Sequence, residues 1–429
     1  MRKKRRIFQH SKITDHPLRE QVDQSHPLIL LADRIDWASI DSVTAASFAG
    51  GRGWPALSSR FIAGLLYLEH AFKLSDEQVV AFWLENAYWQ VFTGETYLQT
   101  EPPIDPSSLS RWRKRLGEEG VEELLAQSID VAKRTGVITA GSARCVIVDT
   151  TVMPKSIAYP TDSALLETSR VKLVAMTRAH GMALRQNYNR VAPRLARQVG
   201  QYAHARQFKR MHATLRTLRT RVGRVHRDVS RQCERVPSHQ RAALDDLLAR
   251  THRVLTQKTK DKHKLYALHA PEVECIAKGK SRTPYEFGVK VSIVTTLKEG
   301  LVVGSRSMPG NPFDGHTLYE ALEQAHILSD VKPEVAIVDR GYRGTEIDGV
   351  TIWRSGQRRG VTRAIKKMLH RRSAIEPTIG HMKTDGKLDR NWLKGALGDA
   401  MHAVLCGAGH NLRLILNKLK STPTARTVC

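Results

Sequence analysis

The chain has 429 residues, 41% hydrophobic and 26% charged, more than one ordinary domain of about 100 to 200 residues and with the balance of a folded rather than a disordered protein. Its 68 lysines and arginines against 42 aspartates and glutamates leave a formal charge of +26, and self-repulsion on that scale is best relieved by a polyanion, nucleic acid above all. No apolar run reaches the roughly 18 residues of a spanning helix and the N-terminus has no apolar signal region, so a membrane partner is not expected and a cytoplasmic location is.

In chain order, Arg2 to Arg6 form a basic run that reads equally as a phosphate-gripping arm or a solvated terminus. From about Phe48 to Thr135 the pattern is helical. Phe61, Leu65, Leu68 and Phe72 recur at steps of three and four, and Ser75-Asp76-Glu77 starts a further helix with a polar cap. Asp105 to Arg115 offers a cap followed by a basic helix, which suits either the second helix of a helix-turn-helix or a basic surface helix. Cys145 to Asp149 is an apolar, β-branched run too short for a helix, the pattern of a buried strand that ends by delivering Asp149 to its edge.

Residues 171–270 contain 23 lysines or arginines against 5 aspartates or glutamates, a net of +18 out of the chain's +26. Met211, Leu215, Leu218, Val222, Val225 and Val229 mark the seam of a long helix, and Leu244, Leu247, Leu248 and Leu255 its antiparallel partner after Pro237. The expectation is a helical hairpin inserted into another domain, with its arginines facing DNA. Next come two strands, Tyr285 to Thr296 and Leu301 to Ser307, joined through Lys298-Glu299-Gly300. A helix from His316 to about Leu328 follows, then a strand Val335 to Val338 that ends at Asp339, and a short strand at Thr351 to Trp353. Arg363 to Lys383 is a helix candidate carrying Glu376, with Pro377 in a first turn or at a kink. Leu393 to Leu419 reads as one or two more helices. Cys145, Cys233, Cys275, Cys406 and Cys429 are scattered, with no C-x-x-C pair, and read as ordinary thiols rather than as a disulfide framework or a zinc ribbon. The class is therefore α/β, with helical segments at both ends and in the middle.

Two aspartates at the ends of apolar strands and one glutamate on a following helix match what phosphodiester cleavage needs: hard oxygen ligands for a pair of magnesium ions, replaceable by manganese. Taken singly, an aspartate after a strand is more often a turn former or cap. Asp149, Asp339 and Glu376 gain weight together, because Asp339 opens the tight turn Asp339-Arg340-Gly341-Tyr342-Arg343-Gly344, and Arg372 and Lys383 stand four residues before and seven after Glu376. On a helix those spacings share one face, where Arg372 and Lys383 would hold DNA phosphates while Glu376 points at metal. Arg340 and Arg343 are further DNA-binding candidates.

Val148-Asp149-Thr150-Thr151, Tyr159 to Asp162, Gly310-Asn311-Pro312-Phe313-Asp314-Gly315-His316, Asp339 to Gly344 and Ile375-Glu376-Pro377 through His381-Met382-Lys383 resemble the DDE transposases of bacterial insertion sequences, the insertion sequence 5 group in particular, over nearly the whole chain. That resemblance implies a ribonuclease-H-like mixed sheet flanked by helices and interrupted by an insertion. The domains would be 1–140, helical and DNA-binding or assembling; 141–170 with 271–420, catalytic; and 171–270, the basic insertion. It implies Asp149, Asp339 and Glu376 as the metal-binding acids, terminal inverted repeats and target duplex DNA as partners, a homodimer or larger assembly, and a bacterial, nucleoid-associated setting. The activity implied is metal-dependent cleavage at the element ends and transfer of the 3′-hydroxyl into target DNA. In that family a tyrosine, arginine, glutamate and lysine are spaced along the last catalytic helix; Arg372, Glu376 and Lys383 match, but Leu369 holds the tyrosine's place. The alternatives are an inactive transposase-derived DNA-binding protein, a structure-specific nuclease and an RNA-binding protein, the last leaving the strand-end acids unexplained.

Overall fold

A computed structural model describes residues 16–48, 57–277 and 284–421. The Arg2 to Arg6 run, Cys429 and part of the helical stretch after Phe48 lie outside the described residues. Six strands occur among them: β1 (Cys145–Pro154), β2 (Glu274–Ala277), β3 (Tyr285–Thr296), β4 (Val302–Met308), β5 (Val335–Val338) and β6 (Thr351–Arg354). The chain divides into two compact units, one of residues 1–154 with 290–429, the other of residues 155–289.

In the first unit the strands run in the order β4, β3, β1, β5, β6. The β3–β4 pair is antiparallel, whereas β1–β5 and β5–β6 are parallel, so the sheet is mixed. One difference from the expectation concerns β1. It does not stop at Asp149 but runs on to Pro154, because Thr151, Val152 and Met153 continue the buried β-forming pattern. Asp149 is thus a mid-strand residue. It nevertheless lies past the stretch paired with β5, which covers Cys145 to Ile147.

The N-terminal helices do not hold a core of their own. Ser59–Ala71, capped by the Ser58 hydroxyl at Phe61 N (3.2 Å), buries Phe61, Leu65 and Leu68 as the helical spacing predicts. Asp76–Glu85 opens with the expected cap, a reciprocal pair between Ser75 and Gln78. Both belong to a single apolar cluster that also takes in Val146 and Val148 of β1, Ala336 and Val338 of β5, and Leu405, Leu412 and Ile415 of the C-terminal helix Gly395–Ser421. This last helix is one element and is buried from Gly398 to Leu412. Asn411 ties it to its surroundings, with its amide donating to Ser128 Oγ (2.9 Å) and Val302 O (2.8 Å) and its carbonyl accepting from Val302 N (2.9 Å). Gly409 is needed where it crosses Ser59–Ala71, since a Cβ there would lie 2.6 Å from the His70 backbone.

The basic helix after Asp105 turns one of its arginines inward. Ser107–Arg134 starts against Asp105 Oδ1, which accepts from Ser107 N (2.9 Å), and breaks at Gly117, whose φ is +66°. Arg113 is buried, and its guanidinium is committed to Glu69 Oε2 (3.0 Å) and Asp76 Oδ1 (2.6 Å). Arg111, Lys114 and Arg115, the other basic residues before the break, are exposed.

The second unit is wider than the stretch that charge alone marks, and it is more than a hairpin. Four helices, Asp162–Ala179, Val191–His204, Phe208–Gln232 and Ser238–Thr256, build it together with β2 paired to the start of β3. The seam residues Leu218, Val222, Val225 and Val229 are buried as expected, but two helices alone would leave that seam half open. Leu165, Leu166, Leu173 and Val174 of the first helix cover it in two small apolar clusters. Lys209, Arg210, Arg216, Arg224, Arg227 and Arg231 stay exposed along the long helix.

The C-terminal helix makes the first unit acid-sensitive. Burial pushes the imidazoles of His402 and His410 down to about 4 from the usual 6.5. A depressed folded value means stability that is full above the unfolded value and is lost as pH falls, at a cost on the order of 3 kcal/mol for each ring. Thermal unfolding followed by circular dichroism should therefore give a midpoint that is level above about pH 7 and falls steeply between about pH 6.5 and 4. A midpoint that stays level to pH 4.5 would contradict the burial of these rings.

Candidate active site

Strand parity decides where the acids meet. Successive residues of a strand face opposite sides, and in β1 Val146 and Val148 join the large core while Ile147 turns to the other side. In β5, Ala336 and Val338 join the core while Ile337 turns with Ile147. Asp149 and Asp339 share the parity of Ile147 and Ile337. The parallel register ends with Ile147 paired to Ile337, so Asp149 and Asp339 each follow the paired stretch by two residues.

Ile375 is what brings the third acid to that side. It is fully buried against Ile147 and Ile337, with Met368, Leu369 and Ile379 around it. The segment carrying it is not the single helix expected. Arg363–Arg371 and Ile375–Thr384 are separate helices joined by the tight turn Arg372–Ala374, and Pro377 sits in the first turn of the second, where its missing N–H costs nothing. Arg371 fastens the join by donating to Leu297 O (3.3 Å) and Lys298 O (2.9 Å).

The result is one guanidinium among three carboxylates. Arg372 Nη2 donates to Asp149 Oδ2 at 2.9 Å and stands 4.0 Å from Asp339 Oδ2, while its Nη1 donates to Glu376 Oε1 at 3.1 Å. Arg372 and Asp149 are largely buried, whereas Glu376 is mostly exposed. Each aspartate is held by its other oxygen: Asp149 Oδ1 accepts from Thr150 N (2.8 Å) and Asp339 Oδ1 from Gly341 N (2.7 Å). One oxygen of each is thereby fixed to backbone and the other turned inward.

A fourth acid completes the cluster. Asp314 Oδ1 accepts from Thr150 Oγ1 (3.0 Å) and from Lys290 Nζ (2.9 Å), and a Cβ on Gly341 would lie within 2.9 Å of Asp339 Oδ1 and 3.1 Å of Asp314 Oδ2. Burial first, and then the negative fields of Asp314 and Asp149, push the Tyr342 phenol far above its usual range, so that it stays a proton donor. Asp314 lies in a sequence stretch already singled out, but its role was not legible there. Lys290 did leave a signal, a cation set between Val289 and Val291 in the apolar part of β3.

The other candidates are placed less centrally. Arg340 and Arg343 are exposed on the turn after Asp339, with Arg340 lying over Gly356. Lys383 is half-buried near the end of its helix, where its carbonyl accepts from Lys73 Nζ (3.0 Å). Among the described residues, the three acids are not a trio whose donor atoms lie within 4.8 Å of one another; His70, His402 and Cys406 are.

Lys290→Met would leave Asp314 a partly buried anion with no cation beside it. Removing one partner of such a pair costs about 1 to 3 kcal/mol, and Lys290→Met with Asp314→Asn should recover part of the loss. Chemical denaturation of the two variants measures this; an unchanged midpoint in Lys290→Met would show that the contact does not hold the site.

Residues 16–115 match the family described as a transposase domain (DUF772). The chain is also 46% identical, over 187 residues, to an uncharacterized protein, ORF8 of the nfe locus of Rhizobium meliloti; the match covers 44% of this chain and 90% of that protein. No solved structure matches the chain. No described helix is long and apolar enough to cross a membrane. With a transposase domain at its N-terminal end and nearly the whole of the rhizobial protein represented in it, the chain belongs to that protein's family and is of the transposase kind.

Proposed function

We propose that this protein is a DDE-type DNA transposase related to the insertion sequence 5 group, with a ribonuclease-H-like core in which Asp149, Asp339 and Glu376 hold two divalent metal ions, magnesium or manganese. The observation that carries the reading is the Arg372 guanidinium set among the three acids, two of which each follow by two residues the paired stretch of adjacent parallel strands. The donor set fits the ion. All the inward oxygens are hard carboxylate oxygens, which magnesium takes in ones and twos while keeping several waters, and the cluster already draws a cation to its centre. When bound, the ions would lower the charge at the attacking and leaving oxygens of a phosphodiester.

The chain's own residues supply the rest. The backbone-anchored oxygens of Asp149 and Asp339 hold both carboxylates in place before DNA arrives, which is the preorganisation such chemistry needs. Arg372 has two classes of partner, carboxylate and phosphate, and both suit its planar fork. In free protein it neutralises the acids; on DNA it would turn to a phosphate beside them, joined by Lys383, Arg340 and Arg343. The exposed arginines of Phe208–Gln232 would bind backbone phosphates of duplex DNA over the terminal repeats. Water would first cut one strand at the element end, releasing a 3′-hydroxyl that the same site would then direct at a target phosphodiester. Action as a dimer or larger assembly on paired ends, among nucleoid DNA, belongs to the same proposal.

A non-catalytic DNA-binding role is the second reading, favoured by Leu369 in the place where the resembled family has tyrosine. Metal binding separates the two. In Arg372→Ala, magnesium or manganese should raise the thermal midpoint more than in wild type, because the internal cation no longer competes, while the metal-free variant should be less stable by about 1 to 3 kcal/mol. Equal metal-induced shifts in the two proteins would argue that Arg372 does not occupy the metal position.

Cleavage is tested on supercoiled DNA carrying the element's ends, recovered from the genomic flanks of the coding region. With magnesium, wild type should nick and join, Asp149→Asn should do neither, and cutting without joined products would indicate a nuclease instead. Near wild-type nicking by Asp149→Asn would sink the assignment.

A further inference from the structure

We infer that His70, His402 and Cys406 form a buried site for a thiophilic d10 cation, zinc or cuprous copper, that fastens the C-terminal helix to Ser59–Ala71. The three side chains are fully buried, and one donor atom from each lies within 4.8 Å of the other two. They are separate from the carboxylates at the strand ends, and their chemistry differs: two imidazoles and a thiol select soft or borderline metals over magnesium.

The hydrogen bonds of both rings favour ligation. His70 Nδ1 donates to Leu66 O at 2.9 Å, which leaves Nε2 with the lone pair. That Nε2 is buried and has no hydrogen-bond partner. An orphan of this kind costs about 1 to 3 kcal/mol unless something occupies it. His402 Nε2 donates to Lys387 O at 2.9 Å, so that its lone pair falls on Nδ1. A ring nitrogen bound to a backbone carbonyl while the other faces the ion is the usual outer-shell arrangement of a metal-bound histidine. The two rings stand 5.5 Å apart at 62° to one another, and Gly409 lets the two helix backbones close to that distance.

Charge bookkeeping narrows the ion. Beside the trio lie three cations and two anions: Arg113 pairs with Glu69 and Asp76, Lys387 with Glu69, and Arg413 donates to His70 O at 3.1 Å. With cations already in excess, Cys406 is the group able to offset a bound cation. Left alone, its thiol is pushed up to about 12 by burial and remains neutral; a coordinated thiol loses its proton to solvent outright. One thiolate cancels a cuprous ion and leaves zinc with one positive charge. Ligand distances of about 2.3 Å for sulfur and 2.0 to 2.1 Å for nitrogen require the trio to contract slightly.

The test uses the full chain, purified without chelator and analysed for zinc and copper, then stripped and titrated with cobalt(II). Wild type should carry one of the two metals in stoichiometric amount, whichever is found identifying the ion. Its cobalt form should show the visible bands of a low-symmetry site and a near-ultraviolet thiolate-to-cobalt charge-transfer band. Cys406→Ala should lose that band and bind more than about tenfold more weakly. Metal-free wild type with no charge-transfer band on cobalt addition overturns the inference, and that result does not depend on whether any variant folds. Metal retained at full affinity by Cys406→Ala overturns it as well, by placing the ion elsewhere. Neither outcome bears on the carboxylate site, where a thiolate band cannot arise.

Discussion

Carboxylates gathered at one place repel one another, and the first unit tolerates four of them only because cations are built in beside them. Arg372 serves Asp149, Asp339 and Glu376, and Lys290 serves Asp314. In a partly buried setting such attraction is far stronger than it would be in water. The price is dependence: each acid's position relies on an arginine or lysine that another ligand could draw away. A phosphate offers Arg372 the same bidentate geometry as a carboxylate, so under the proposed function DNA and the acids would compete for one side chain, and a resting state with the acids neutralised would give way to a DNA-bound state with them exposed.

The scaffold beneath this cluster is rigid for an independent reason. β1 and β5 are parallel and buried on both faces, with Val146, Val148, Ala336 and Val338 on one side and Ile147, Ile337 and Ile375 on the other. A slip of one residue in register would turn both aspartates to the wrong face and bury them in the large core. The apolar pattern of two short strands therefore specifies the chemistry's geometry, and Ile375 serves as the spacer that sets the depth of the Glu376 helix. Leu369, where the resembled family has tyrosine, belongs to this same apolar layer. Its position is satisfied by packing alone.

Much of this was legible in the amino-acid order. Local periodicity marked nearly every element, including β3 from Tyr285 to Thr296 and the Ser75 cap, since these depend on neighbours in the chain. The pair Asp149 and Asp339 could be picked out because an apolar β-branched run before a carboxylate is a local signal. What could not be read were facts of pairing. The spacing of four set Arg372 beside Glu376, but its contacts with Asp149 and Asp339 depend on how that helix packs on the sheet. Arg113 read as a surface charge because its partners, Glu69 and Asp76, are some forty positions away. Likewise the strong basicity of residues 171–270 gave away the insertion but not its first two helices, Asp162–Ala179 and Val191–His204, the first of which begins before the basic stretch.

The C-terminal helix has one more implication, for biosynthesis. Gly395–Ser421 fills the centre of a core whose other walls, Ser59–Ala71 and Ser107–Arg134, leave the ribosome much earlier. Until that last helix emerges, the early helices pack only on one another and their faces toward it stay open, and β1 waits on β5 across nearly two hundred intervening residues. Contacts so distant along the chain form late. A nascent chain would therefore assemble its acids only near the end of translation, and a truncated product lacking that helix would have its aspartates in sequence but no site in space.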